Sequence, residues 1–189
     1  MANRRRAALF SLLVFWFQPC LGADEGIAKA NPARIEAAFL RNFAHYVSWP
    51  SHAFAGDQTP WRVCILGADP FGELLEDTFK GRLEQGRSFV VVRADSAADA
   101  RPCQIAYLAY RSSESRRAAL AELANRPVLT VGDDPAFLHE GGMIRFQVSD
   151  HVGFGVNLDR ANAAALKIPT KMLEVAHEVV ENGVARGRR

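Results

Sequence analysis

The sequence predicts an α/β fold: a single domain built on one mixed sheet, largely parallel with an antiparallel hairpin toward its C-terminus, flanked by helices. Three observations carry that expectation. A short apolar run ends twice in the same phrase, Gly67-Ala68-Asp69-Pro70-Phe71 and Gly132-Asp133-Asp134-Pro135-Ala136-Phe137. Runs of strand length rich in Val, Ile and Leu alternate with segments of helical period. The chain has 189 residues, with 14 Gly and 9 Pro, which fits one globular domain and excludes a low-complexity chain.

The first helix opens at Asn31-Pro32, with Asn as the cap and Pro in the first helical position. Ile35, Ala38, Phe39, Phe43, Tyr46 and Val47 recur at three- and four-residue spacing and are expected to form its apolar stripe, before Trp49-Pro50 ends it. A strand is expected over Trp61–Leu66, others over Ser88–Arg93 and Gln104–Leu108, then a helix over Ser113–Asn125. Val128–Val131 supplies the next strand. At both repeated phrases an Asp is placed to cap a following helix with Pro in its first turn, so both strands end on one edge of the sheet.

Met143–Val148 and Gly153–Leu158 flank Ser149-Asp150-His151-Val152 and read as the hairpin. Two helices, Arg160–Leu166 and Lys171–Glu181, are expected after it, separated by Ile168-Pro169-Thr170. The Gly183–Arg189 tail is expected to fray.

The N-terminus carries an export pattern. Arg4, Arg5 and Arg6 precede an apolar run from Ala7 to Phe17, and the small-residue patch Cys20-Leu21-Gly22-Ala23 follows. The run is about half the ~20 residues that span a bilayer. Residues 1–23 are therefore expected to be a signal peptide and 24–189 the mature α/β domain, located in the periplasm. Pro19 before Cys20 argues against a lipid-modified cysteine.

Of 23 basic and 21 acidic side chains, three arginines and no acid fall in the leader. What remains is near neutral, with no basic stripe for a phosphate backbone, so nucleic acid is not an expected partner. Cys64 and Cys103 remain, an even count in an exported chain and so a disulfide candidate. Two separate buried thiols would fit the same letters.

Catalytic signatures are missing. Gly81-Arg82-Leu83-Glu84-Gln85-Gly86-Arg87-Ser88 has the glycine spacing of a phosphate loop, but a strand follows it where a helix should, so it reads as a turn. There is no Gly-x-Ser-x-Gly elbow and no His-Glu-x-x-His pair. Asp133-Asp134 has the letters of a carboxylate pair, and a cap explains them more economically. No catalytic residue, metal or cofactor is expected.

Several phrases in one order resemble the YfiR-like family of periplasmic regulatory proteins. They are Ala37-Ala38-Phe39-Leu40-Arg41-Asn42-Phe43 leading to Trp49-Pro50, Cys64 through Gly72, Gly81 through Arg87, Arg126 through Val131, Gly141-Gly142-Met143-Ile144, and Val156-Asn157-Leu158 ahead of Leu166-Lys167-Ile168. The resemblance runs from about residue 34 to 176. It implies a non-enzymatic, dimerising regulator that binds and represses the periplasmic domain of an inner-membrane diguanylate cyclase or similar sensor, such as a sensor kinase, and so modulates cyclic-di-GMP signalling. It also implies that Cys64 and Cys103 are the family's disulfide positions; a second cysteine pair of some relatives is absent here.

An alternative expectation is a periplasmic small-ligand-binding module, its ligand held beyond the strand ends after Leu66 and Val131. A ligand that tunes a repressor would join the two. Candidate partner- or ligand-binding residues are Asn42, Trp49, Asp69, Asp134 and Asn157. For Asn42 and Asn157 a backbone cap or hydrogen bond competes with that role, and for Trp49 a plug on the core does.

Overall fold

The computed structural model describes residues 31–149 and 151–187. The expected leader and residues 24–30 lie outside them, as do Asp150 and the last two arginines. In chain order the elements are α1 (Pro32–Tyr46), a 3-10 turn at Ser51–Ala53, β1 (Trp61–Gly67), α2 (Leu74–Phe79), β2 (Phe89–Ala94), β3 (Ile105–Ala109) and α3 (Ser113–Glu122). They continue with β4 (Leu129–Gly132), β5 (Ile144–Val148), β6 (Val152–Asn157), α4 (Leu158–Ala163), α5 (Thr170–Val175), β7 (Glu178–Glu181) and β8 (Val184–Gly187).

The eight strands among the described residues form one sheet in the order β2-β1-β3-β4-β5-β6-β7-β8. The first five are mutually parallel, β5 and β6 form the expected antiparallel hairpin, β6 and β7 are parallel, and β7 and β8 antiparallel.

The central strands are buried on both faces, the usual condition of a parallel sheet. Trp61, Val63 and Ile65 of β1 and Ile105 and Tyr107 of β3 meet one face layer, which includes Leu40 and Phe43 of α1, Leu75 and Phe79 of α2, and Met172 of α5. Cys64 and Leu66, with Ala106 and Leu108, meet a thinner layer under Ala119 and Leu120 of α3. Cys64 and Cys103 are bonded across this second layer, with Cα atoms 6.1 Å apart, and are 0% and 2% exposed.

Helix α1 begins as expected: the Asn31 side chain accepts a hydrogen bond from the Ala33 amide, and Pro32 follows. Its buried stripe is rotated from the expected one. Glu36, Ala37, Leu40, Phe43, Ala44 and Val47 are buried, whereas Ala38 is exposed and Tyr46 is 49% exposed. A spacing of three and four admits two neighbouring stripes, and the apolar count favoured the wrong one because Tyr46 and Ala38 are apolar yet face outward.

Two further expectations are corrected. No helix follows Pro135; residues 135–141 fold as successive turns, with Phe137 N–H donating to Asp134 O and Glu140 N–H to Ala136 O. The expected Lys171–Glu181 helix stops at Val175, and the expected fraying tail is half of a hairpin. Val179-Val180 is β-branched, and Asn182-Gly183 turns with φ of 53° and 72°, the left-handed pair that a two-residue hairpin requires. The Asp159 carboxylate accepts from both turn amides at 2.8 Å, which holds its carboxyl below the usual range.

The disulfide closes a 39-residue separation. Replacing both cysteines by Ala is expected to lower the unfolding free energy by about 4 kcal/mol through the loop-entropy effect. Urea unfolding of the two proteins measures it, and equal midpoints would contradict it.

Candidate functional site

Because β1 leads to β2 on one side and β3 lies on the other, the sheet's strand order reverses direction between β1 and β3. Loops that leave such a switch point in opposite directions open a crevice at the carboxyl ends of the strands. One is present here: a cavity of about 580 Å³ over the ends of β1, β3 and β4, with Asp69, Tyr107, Tyr110, Arg111, Asp133 and Asp134 among its walls.

The two repeated phrases form opposite sides of this crevice, and each uses its Gly for a different reason. Gly67 has φ of +87°, and a Cβ there would lie 2.7 Å from Ala109 O of the neighbouring strand. At Gly132 a Cβ would lie 2.6 Å from the Phe137 ring, which folds back over the strand end. Only a hydrogen fits in either place.

Each phrase's Asp splits its carboxylate in the same way. Asp69 Oδ1 accepts from the amides of Phe71 and Gly72, at 2.8 and 3.2 Å, and Oδ2 accepts from Arg93 Nε at 3.0 Å. Asp134 Oδ1 accepts from the Ala136 amide at 2.8 Å, and Oδ2 faces Arg116 Nη1 at 3.0 Å. The side chains expected to cap helices therefore close turns and anchor arginines.

The arginines differ in burial. Arg93 is on the surface, where it also bonds Glu76 and the Gly72 carbonyl. Arg116, on α3, has a side chain only 3% exposed. It donates to both oxygens of Glu140 and to Tyr110 O as well as facing Asp134, so the guanidinium is enclosed by acceptors. Hydrogen bonding to Glu140 raises its pKa further, against the opposing effect of burial.

Beneath the crevice lies a group that sequence reasoning missed. Glu36 of α1 is 6% exposed, and Tyr107, 1% exposed, has its hydroxyl 3.5 Å from Glu36 Oε2. Burial, with the charge of Asp133 adding to it, pushes the Glu36 carboxyl up to about 7. Burial likewise raises the Tyr107 phenol. The signal was available: Glu36, Leu40, Phe43 and Val47 are spaced four, three and four apart, so the true buried stripe contains a carboxylate.

A second concavity, about 220 Å³ and mostly apolar, runs between α1 and α5 and is bounded by Phe39, Asn42, Tyr46, Phe154, Lys171 and Val175. Val175 is 65% exposed at its rim. The five candidate binding residues are thus dispersed. Asp69 and Asp134 flank the crevice and Asn42 borders the groove.

Trp49 plugs the core instead, donating from Nε1 to Gln104 O at 3.2 Å with its ring edge-on to Trp61. Asn157 is buried, capping α4 through the Arg160 amide and donating from Nδ2 to Leu138 O. Among the described residues, no three His, Cys, Asp or Glu side chains are grouped to hold a metal ion.

The fold and site define a doubly covered α/β domain with a switch-point crevice, its turns clamped by arginines and its floor set over a buried carboxyl. The chain belongs to the family described as YfiR/HmsC-like, which it matches over residues 33–177. That membership suggests a periplasmic regulatory role. No curated protein matches the chain.

Replacing Arg116 by Ala leaves the largely buried Glu140 with only its longer pair to Arg117, at 3.7 Å, and removes the cation from Asp134, an expected loss of about 3 kcal/mol. Arg93→Ala, at the exposed counterpart, is expected to cost less than about 1 kcal/mol. Thermal or urea unfolding of the two variants separates these cases, and equal losses would refute the distinction.

Proposed function

We propose that the protein is an exported, non-enzymatic regulator that binds and represses the periplasmic domain of an inner-membrane diguanylate cyclase or a similar sensor, and so modulates cyclic-di-GMP signalling. The observation that carries this reading is the family match across almost the whole α/β domain. Binding energy spent on one conformation of a receptor shifts its equilibrium, and no chemistry on the regulator is required.

The groove between α1 and α5 supplies the contact surface in this reading, with the membrane protein's periplasmic domain as its occupant. Tyr46 and Val175 stand exposed on its rim, and Asn42 and Lys171 offer polar edges. That mixture, an apolar centre with a polar border, matches the anatomy of protein interfaces. The regulator acts as a homodimer in the same reading.

Removal of the protein is expected to raise cellular cyclic-di-GMP. Tyr46→Asp combined with Val175→Asp is expected to leave unfolding unchanged and to weaken binding of the membrane partner by about 30-fold, the size of one interfacial hot spot. Unchanged cyclic-di-GMP together with no co-purifying membrane protein would overturn the reading.

The crevice supports a second reading, a small-ligand-binding module without a direct signalling partner, or with a ligand that tunes the repressor. Its position at the switch point is where α/β sheets usually hold ligands. Thermal-shift screening with periplasmic metabolites tests it, and no stabilisation by any of them counts against it.

A further inference from the structure

Among the described residues, Glu36 is the buried carboxyl that the fold encloses without a cation. Arg116 is equally buried but surrounded by acceptors; among the described residues no Lys, Arg or His lies within ion-pair distance of Glu36. Its one hydrogen-bonding neighbour is the Tyr107 hydroxyl at 3.5 Å.

The groups around it have few alternatives. From the sheet come Tyr107 on β3 and, past the end of β4, Asp133. Asp134 is occupied by Arg116, and Asp69 by Arg93. Helix α2, packed against α1, carries the exposed acids Glu76 and Asp77, with Glu76 paired to Arg93, and is flanked by the exposed Glu73 and Lys80. Strand β6 presents apolar side chains and Asn157. On α1 itself the nearest cation in sequence, Arg34, is exposed.

We propose that Glu36 is a pH-sensitive latch: its acid form seats the first half of α1 against Tyr107 at the crevice floor, and its ionised form, facing Asp133 without a counter-ion, loosens that seat. Tyr107 O–H donates to Glu36 Oε2, and in the acid form that bond is kept with no charge enclosed in the core. The carboxylate has only the Tyr107 hydroxyl as donor and is repelled by Asp133.

The direction of the pH effect follows. The Glu36 carboxyl sits at about 7 in the folded protein against 4.5 for an unperturbed carboxyl. The folded state therefore holds its proton where the open state has released it. The stabilisation is complete below about pH 4.5 and is lost as pH rises through about 7, the reverse of an ion-paired carboxylate.

Hydrogen exchange of the α1 amides in the full mature chain tests this, corrected for the intrinsic pH dependence of exchange. Protection over residues 35–40 is expected to fall roughly 30-fold between about pH 5.5 and 8. Glu36→Gln, which stays neutral, is expected to abolish that difference. Asp133→Asn is expected to lower the transition midpoint, and it serves as the test if Glu36→Gln fails to fold. A carboxyl carbon-13 titration of Glu36 should show a midpoint near 7. A midpoint near 4.5, or coincident profiles for the native and substituted chains, would overturn the latch.

Discussion

The whole arrangement depends on β1 and β3 being parallel neighbours with both faces dry. Each alternates its side chains between two cores: Val63, Ile65, Ile105 and Tyr107 into one, Cys64, Leu66, Ala106 and Leu108 into the other. A strand pair of that kind cannot leave either face to water, so the chain must return helices to both. The face receiving α1, α2 and α5 is the deeper layer, filled by rings such as Phe146 and Phe154, each packed within 6 Å of Phe43. The opposite face has one long helix, small residues and a covalent bond where bulk is lacking.

The same strand pair creates the crevice, because loops leave its carboxyl ends in opposite directions. Asp69 and Asp134 then do identical work on the two sides, one oxygen on turn amides and one on an arginine. This makes the crevice rim rigid at the cost of occupying its most conspicuous acids. Among the described residues Asp133 has no arginine partner, and the ionisable group with the unusual environment is Glu36, one layer below.

Much of the fold was legible because its signals are local. Asn31-Pro32, the apolar β1 run and the paired Gly-x-Asp-Pro phrases each specify their own geometry. The β5–β6 hairpin was legible from two strand-like runs flanking the polar Ser149-Asp150-His151 segment. The misses share a cause: the deciding partner lies far along the chain. Lys171–Glu181 has helical composition up to Val175, but β6 offers an open edge to which Val179 and Val180 add a strand. Pro135 can open a helix, but Phe137 must fold back over Gly132, and turns result. For the site, Asp69 and Asp134 could be placed together from the repeated phrase, whereas the meeting of Glu36 with Tyr107 spans 71 positions and is set by helix docking.

The burial of Cys64 and Cys103 has a bearing on how the molecule is made. Once α3 is seated, neither sulfur has a surface an oxidoreductase can approach, since thiol exchange needs in-line access to a sulfur atom. Oxidation therefore has to occur while that side of the sheet is still open, and a chain that closes first traps its thiols inside. The order of two events during maturation, cross-linking and helix docking, is thus written into where the cysteines sit.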